Sequence, residues 1–266
     1  MRALWLPLFG ELADPGLVAD LAVDAEQHGW DGLFVWDHIR WREPVTDIGD
    51  PWVTLAAVAA RTERLRIGTA VTPPARRRPA VLARQAVALD LLSNGRMILG
   101  VGVGSDRFGE EYSRLGDETD DRTRAAMTDE TLEILRAAWT GEPVTHHGEH
   151  YTVDRVAFRP RPVQRPGIPV WIAGFPGRAR PRRRAARHDG FFPVNMTHPD
   201  ELRDALADIA ALRAAPTAPF DVAVAVEPDA DPEPWVRAGA TWLLTEHDPA
   251  TVHAAEIRSV IRRGAR

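Results

Sequence analysis

Short apolar, often β-branched runs alternate with segments of helical periodicity along the whole chain. The runs cover residues 2–9, 32–36, 66–72, 97–103, 169–173, 191–195, 221–226 and 241–245, and each is followed by a helix-like stretch, which predicts parallel βα units. Several helix starts are marked. Asp14-Pro15 offers an N-cap and a first-turn proline ahead of Leu17, Val18, Leu21, Ala22 and Ala25. Pro79 opens a helix in which Val81, Leu82, Gln85, Leu89 and Leu92 recur, and Ser93-Asn94-Gly95 closes it with a left-handed cap. Asp248-Pro249 repeats the first signal before the last helix. The interval between the fourth and fifth runs is longer than the others; it holds a long helical stretch at 122–139 and a hairpin-like piece at 144–158.

Eight such units in 266 residues fit one α/β domain spanning 1–266, a TIM (β/α)8 barrel with a short hairpin inserted between helix 4 and strand 5. A doubly wound open sheet predicts a glycine-rich loop after the first strand. The residues there are Phe9 to Asp14, with Gly10 as the single glycine, so the barrel is preferred. In a barrel the strand-to-helix loops carry the chemistry. Here they fall at about 9–14, 36–51, 72–79, 103–118, 173–178, 195–199, 226–232 and 245–248.

Composition then removes chemistry. The chain has no Cys, and all 33 of its basic residues are Arg. Disulfides, thiolate nucleophiles, Cys-based metal sites, Schiff-base lysines and a phosphate-binding Walker lysine are therefore excluded. A formal charge of −5 with scattered arginines does not indicate a nucleic-acid-binding face. No run approaches a membrane span, and the start of the chain lacks a signal-peptide pattern, so a cytoplasmic protein is expected.

Within the catalytic-face loops, Trp36-Asp37-His38 ends the second strand and Trp41 follows. A rim histidine beside an acid can act as a proton donor or base, with indoles walling a flat ligand. Gly100, Gly102 and Gly104 do not fit the dinucleotide fingerprint; they either let a flat ring approach or serve barrel packing. The turn from Gly174 to Gly177 leads into Arg178, Arg180, Arg182, Arg183, Arg184 and Arg187. Arg178 is placed to meet an anion, while the rest read as a solvated helix face. Arg76-Arg77-Arg78 is a second candidate anion site. Asn195, His198, Glu246 and His247 lie at other strand ends, and His146-His147-Gly148-Glu149-His150 reads as a solvated hairpin without metal-ligand spacing. No metal is expected.

In order and spacing, several segments resemble the luciferase-like monooxygenase superfamily of flavin- or deazaflavin-dependent barrels. They are Phe34 to His38, Arg66 to Pro73, Arg78-Pro79 through Gly95-Arg96, Leu99 to Gly104, Gly148 to Tyr151, Pro169 to Gly174, Ala185 to Phe191 and Ala238 to Trp242. The resemblance implies an oxidoreductase using FMN or the deazaflavin coenzyme F-420, by hydride transfer or oxygen insertion on a small organic substrate. It implies His38 as acid or base with Asp37 as its orienter, and Trp36, Trp41 and Asn195 toward substrate. It also implies Thr69, Ala70 and Val71 behind the ring, with a non-proline cis peptide at Ala70–Val71, Gly102 and Gly104 beside it, and Gly174, Gly177 and Arg178 at the phosphate. Homodimerisation through helices near the second and third strands, and in the FMN form a flavin reductase partner, follow by the same analogy. Two departures stand out. The loop Ser105-Asp106-Arg107-Phe108 lacks the Glu that the family's sugar-phosphate dehydrogenases carry there, and only Glu227 to Thr241 separates the last two strands. A degenerate barrel that binds flavin without turnover is the alternative, and a metal-dependent hydrolase is a third.

Overall fold

The computed structural model describes residues 1–215 and 217–264. The first half of the chain runs β1 (Arg2–Leu6), α1 (Pro15–Gln27), β2 (Gly32–Val35), α2 (Pro51–Arg61), β3 (Arg66–Thr72), α3 (Pro79–Leu92), β4 (Met97–Val101) and α4 (Asp121–Ala138). A hairpin follows, β5 (Pro143–His147) with β6 (Thr152–Ala157). The second half runs β7 (Val170–Gly174), α5 (Ala179–Ala185), β8 (Gly190–Pro193), α6 (Pro199–Leu212), β9 (Asp221–Val226), α7 (Glu233–Ala238), β10 (Trp242–Thr245) and α8 (Ala254–Arg262).

All strands but the hairpin pair are parallel and close into a barrel of order β1-β2-β3-β4-β7-β8-β9-β10. Closure is made by β1 on β10, with Ala3 opposite Leu244, which removes the open-sheet alternative. The predicted first strand ran to Phe9. The ladder stops at Leu6 because Pro7 has no amide hydrogen to donate, and Phe9 instead makes an isolated bridge to Ile48.

Strand alternation sorts the core into two shells. In β2, Leu33 and Val35 face the helices while Phe34 points into the barrel. Trp5, Trp171, Phe192 and Trp242 join Phe34 inside, interleaved with Ala3, Ala70, Ala173 and Ala223. Each fully buried large side chain contributes about 1.5–3 kcal/mol. At the base, Asp221 accepts from the indole Nε1 of Trp171 (3.0 Å) and of Trp242 (3.3 Å). One carboxylate thus satisfies two buried donors there, while the opposite end of the barrel carries the long strand-to-helix loops.

Asp14, Asp50 and Asp120 cap α1, α2 and α4 through their carboxylates. The hairpin is held to α4 by Glu130, which accepts the amides of Glu149, His150 and Tyr151 and pairs with His146. No helix among the described residues is long and apolar enough to cross a membrane.

Candidate active site

The loops after β2 and β4 meet over the C-terminal end of the barrel and bring an aromatic cluster to its rim. Trp36 lies 5.0 Å from Trp5 and 5.9 Å from Phe9, centroid to centroid, and Trp41 stacks on Phe108 at 5.2 Å and 10°. His38 sits edge-on to Trp41 at 4.6 Å. The Trp36 indole nitrogen is buried and, among the described residues, has no hydrogen-bond partner.

The partner that fixes His38 is Glu111. Its Oε1 lies 3.0 Å from His38 Nδ1 and accepts the amides of Ile39 (2.7 Å) and Arg40 (3.1 Å). Its Oε2 is 2.9 Å from Arg76 Nη1. Burial pushes the Glu111 carboxyl up, but the His38 hydrogen bond, the His38 and Arg76 charges and the Arg40 amide outweigh it and hold the carboxyl below its usual value. An ionised carboxylate only accepts, so the Nδ1 contact assigns the imidazole proton to Nδ1 and leaves the Nε2 lone pair for a ligand.

Asp37 was expected to orient His38, and the structure corrects this. Its carboxylate accepts from Thr72 Oγ1 (2.8 Å), from Arg76 Nη2 (3.1 Å) and from Arg77 Nη2 (2.9 Å). Adjacent residues in extended chain point to opposite sides, so Asp37 faces the base of the loop while His38 faces the rim. Asp37, Arg76, Arg77 and Glu111 form one matched set of two carboxylates and two guanidinium groups, and Arg76, Asp37 and Glu111 have side chains no more than 3% exposed. This also overturns the reading of Arg76 and Arg77 as an anion site. Their charges are already met, and Arg78 lies over the Tyr151 ring.

Other expected residues divide. Ala70 faces the barrel interior, its carbonyl accepting from Trp5 Nε1 at 2.7 Å, and Val71 follows at the mouth. The peptide between them is cis, as the resemblance implied. Thr69 points outward, fully buried, and donates to the Gly100 carbonyl (3.2 Å), so its hydroxyl is not offered to a ligand. Gly104 has φ +79°, and a Cβ there would collide with Tyr112; packing accounts for that glycine. Gly102 gives room to Val71. Gly174 admits the ring of Pro181, while Gly177 faces open space. Arg178 is exposed, and no hydrogen bond or ion pair holds its guanidinium group among the described residues.

Asn195 occupies a left-handed turn after β8 (φ 57°) and is exposed; the backbone accounts for it. His198 caps α6, and His247 is buried against Glu256. Among the described residues no cluster of His, Cys, Asp or Glu is arranged to hold a metal.

Glu111 and Phe108 were missed. Both lie in the loop after the fourth strand, on the catalytic face of the barrel, so a carboxylate there facing the Asp37-His38 loop was the available signal.

The family model for luciferase-like monooxygenases matches residues 10–252. The chain belongs to the luciferase-like monooxygenase family. Among the curated relatives it resembles, an F420-dependent glucose-6-phosphate dehydrogenase of Nakamurella multipartita is 36% identical over 199 residues, covering 72% of this chain and 56% of the relative. One of the same name from Rhodococcus erythropolis is 33% identical over 251 residues, covering 91% and 73%. The chain therefore spans little more than half of the first relative and about three quarters of the second. A solved coenzyme F420 dependent tetrahydromethanopterin reductase from Methanopyrus kandleri shares the fold at TM-score 0.77 and 16% identity, covering 99% of this chain and 97% of the other.

Proposed function

We propose that this luciferase-like barrel is a deazaflavin-dependent oxidoreductase that moves a hydride between the coenzyme and a small alcohol or carbonyl substrate. The observation that carries the reading is the Glu111–His38 pair at the barrel mouth, with Nε2 free of any hydrogen bond among the described residues.

The residues present fit a flat tricyclic ligand with a phosphate arm. The unsatisfied Trp36 Nε1 is a donor for a ring carbonyl or nitrogen. Ala70 and Val71 offer an apolar backing, and Trp36 and Trp41 offer aromatic walls. At the turn after β7, open space at Gly177 and Arg178, whose guanidinium group has no partner among the described residues, suit a phosphate. With no lysine in the chain, Arg and backbone amides must hold it.

When bound, the coenzyme supplies or accepts the hydride. His38 handles the accompanying proton: in alcohol oxidation Nε2 accepts the hydroxyl proton, and the ionised Glu111 stabilises the resulting imidazolium. Trp36, Trp41 and Phe9 limit water at that atom. Glu111 stands in the loop where the sequence lacked the sugar-phosphate dehydrogenases' Glu, but it is committed to His38, Arg76 and two amides. Arg76 and Arg77 are likewise committed and give a substrate phosphate no free charge. A small, uncharged substrate is therefore favoured over a sugar phosphate.

The test is anaerobic incubation with the oxidised deazaflavin coenzyme, and separately FMN, against a panel of small alcohols and sugar phosphates. Loss of the deazaflavin's visible absorption with an alcohol is expected. Binding of FMN alone, with oxygen consumption on reduction, would replace this reading with a monooxygenase.

A further inference from the structure

The helices around the barrel do not close evenly. α1 packs on α2, α2 on α3, α3 on α4, α5 on α6, α6 on α7 and α8 on α1, while α4–α5 and α7–α8 are not closely packed. Between α4 and α5 there is instead a groove of about 420 Å³, with Arg122 and Asp129 on one wall and Arg180, Arg183, Arg184 and Arg187 on the other. Ala125 and Ala126 complete the α4 wall. The lining positions recur at the i, i+3, i+4, i+7 spacing in both segments, so each presents one continuous stripe. From Arg122 to Asp129 the stripe runs about 10 Å along the helix.

Its charge is unmatched. Five guanidinium groups line the groove against one carboxylate, in a chain whose formal charge is −5. Arg184 takes both oxygens of Asp129 (2.6 and 2.9 Å), and Arg187 lies 3.9 Å from the same carboxylate. Arg122, Arg180 and Arg183 are exposed, and among the described residues none has a side-chain hydrogen bond or an ion pair. The nearby acids at the head of α4 serve the helix end: Asp120 caps it, and Asp121 pairs with Arg124. Next to Arg187, His188 is largely buried. Burial, followed by the charges of Arg136, Arg187 and Arg184, pushes its pKa down to about 4.

The barrel strands that precede these helices, β4 and β7, are neighbours. The first turns of α4 and α5 therefore leave the barrel mouth side by side, and Arg180 follows Arg178 by two residues. An extended polyanion leaving the phosphate turn would enter this groove directly. Resting on the deazaflavin reading above, we propose that the groove binds the oligo-γ-glutamate tail that the deazaflavin coenzyme carries beyond its phosphate. Each carboxylate of the tail can be gripped by a guanidinium fork. FMN ends at its phosphate and leaves the groove without a ligand, so the arginines favour the tailed coenzyme.

The experiment is fluorescence and calorimetric titration of the whole protein with three ligands: the deazaflavin coenzyme bearing several glutamates, the same molecule cut back to its phosphate, and FMN. The wild type is compared with R122A/R180A/R183A and with R180E/R183E; circular dichroism and thermal midpoints check that these surface variants are folded. The wild type is expected to bind the tailed form on the order of tenfold more tightly than the cut-back form at low ionic strength, and the margin should shrink with added salt. Both variants should lose that margin while keeping their affinity for the cut-back form. Equal affinity of wild type for the two deazaflavins, or a margin that survives in both variants, overturns the tail site and leaves the cofactor reading standing. Failure of wild type to bind either deazaflavin overturns the cofactor reading, and the tail site with it.

Discussion

At the barrel mouth Arg76 and Arg77 meet Asp37 and Glu111, charge for charge and largely out of water; along the α4–α5 groove five arginines line one carboxylate, Asp129, and only Arg184 and Arg187 reach it. The residue type is the same and its physical role differs. A buried guanidinium group must have its charge met within the fold; Asp37 and Glu111 meet those of Arg76 and Arg77, although Arg76 Nε and Nη1 and Arg77 Nε make no hydrogen bond among the described residues, so the first set is framework that fixes the loop bearing His38. The exposed, unmatched Arg122, Arg180 and Arg183 cost little in water and keep their donors for a ligand. Counting arginines in the sequence cannot separate these cases, because the difference lies in which carboxylates the topology brings near them.

The comparison breaks most visibly at Arg76. Replacing it with Met strands Asp37 and Glu111 as buried, under-paired carboxylates, and denaturant melts should show a loss of about 3–5 kcal/mol. A change under about 1 kcal/mol would mean that the matched set does not hold the mouth together.

A smaller effect is expected with pH. His188 titrates near 4 in the fold against an ordinary value of 6.5. Above 6.5 it is neutral in both the folded and unfolded chains. As pH falls from 6.5 toward 4 the unfolded chain takes up the proton first, so stability should drop by at most about 1.4 kcal/mol per unit. The variant H188Q should flatten that limb; an unchanged slope would show that burial and the neighbouring arginines do not depress His188 in the fold. Glu111 acts lower: its depressed carboxyl contributes stability above its unfolded value near 4.5 that is lost as pH falls through the folded value.

Smallest is the effect of emptying the groove. R122A/R180A/R183A should change unfolding free energy by no more than about 0.5 kcal/mol per site. A larger loss would make these arginines framework too, and erase the contrast with Arg76.

Much of the fold was legible because it rests on local signals. Alternating apolar runs located all eight barrel strands, and Asp14, Pro15 and Pro79 marked helix starts that the structure keeps. Strand ends were less legible. Pro7 cut the first strand short, and the fourth ended at Val101 rather than 103, before Gly102.

The candidate site divides the same way. His38, Trp36 and Trp41 could be placed at the mouth because strand order fixes which loop ends face up. The His38 partner was not legible: Glu111 is 73 residues away, and the neighbouring Asp37 looked nearer in sequence but is turned to the arginines. Thr69 was misplaced because strand alternation sends it outward while Ala70 faces the interior.

The most direct test of the account is the single-turnover rate of hydride transfer to the deazaflavin coenzyme in H38A and wild type, measured beside coenzyme affinity. If His38 removes the substrate proton, the rate should fall by about 10²–10⁴-fold while the dissociation constant stays within roughly threefold. Equal rates in the two proteins would contradict the assignment of His38 and Glu111 as the proton-handling pair.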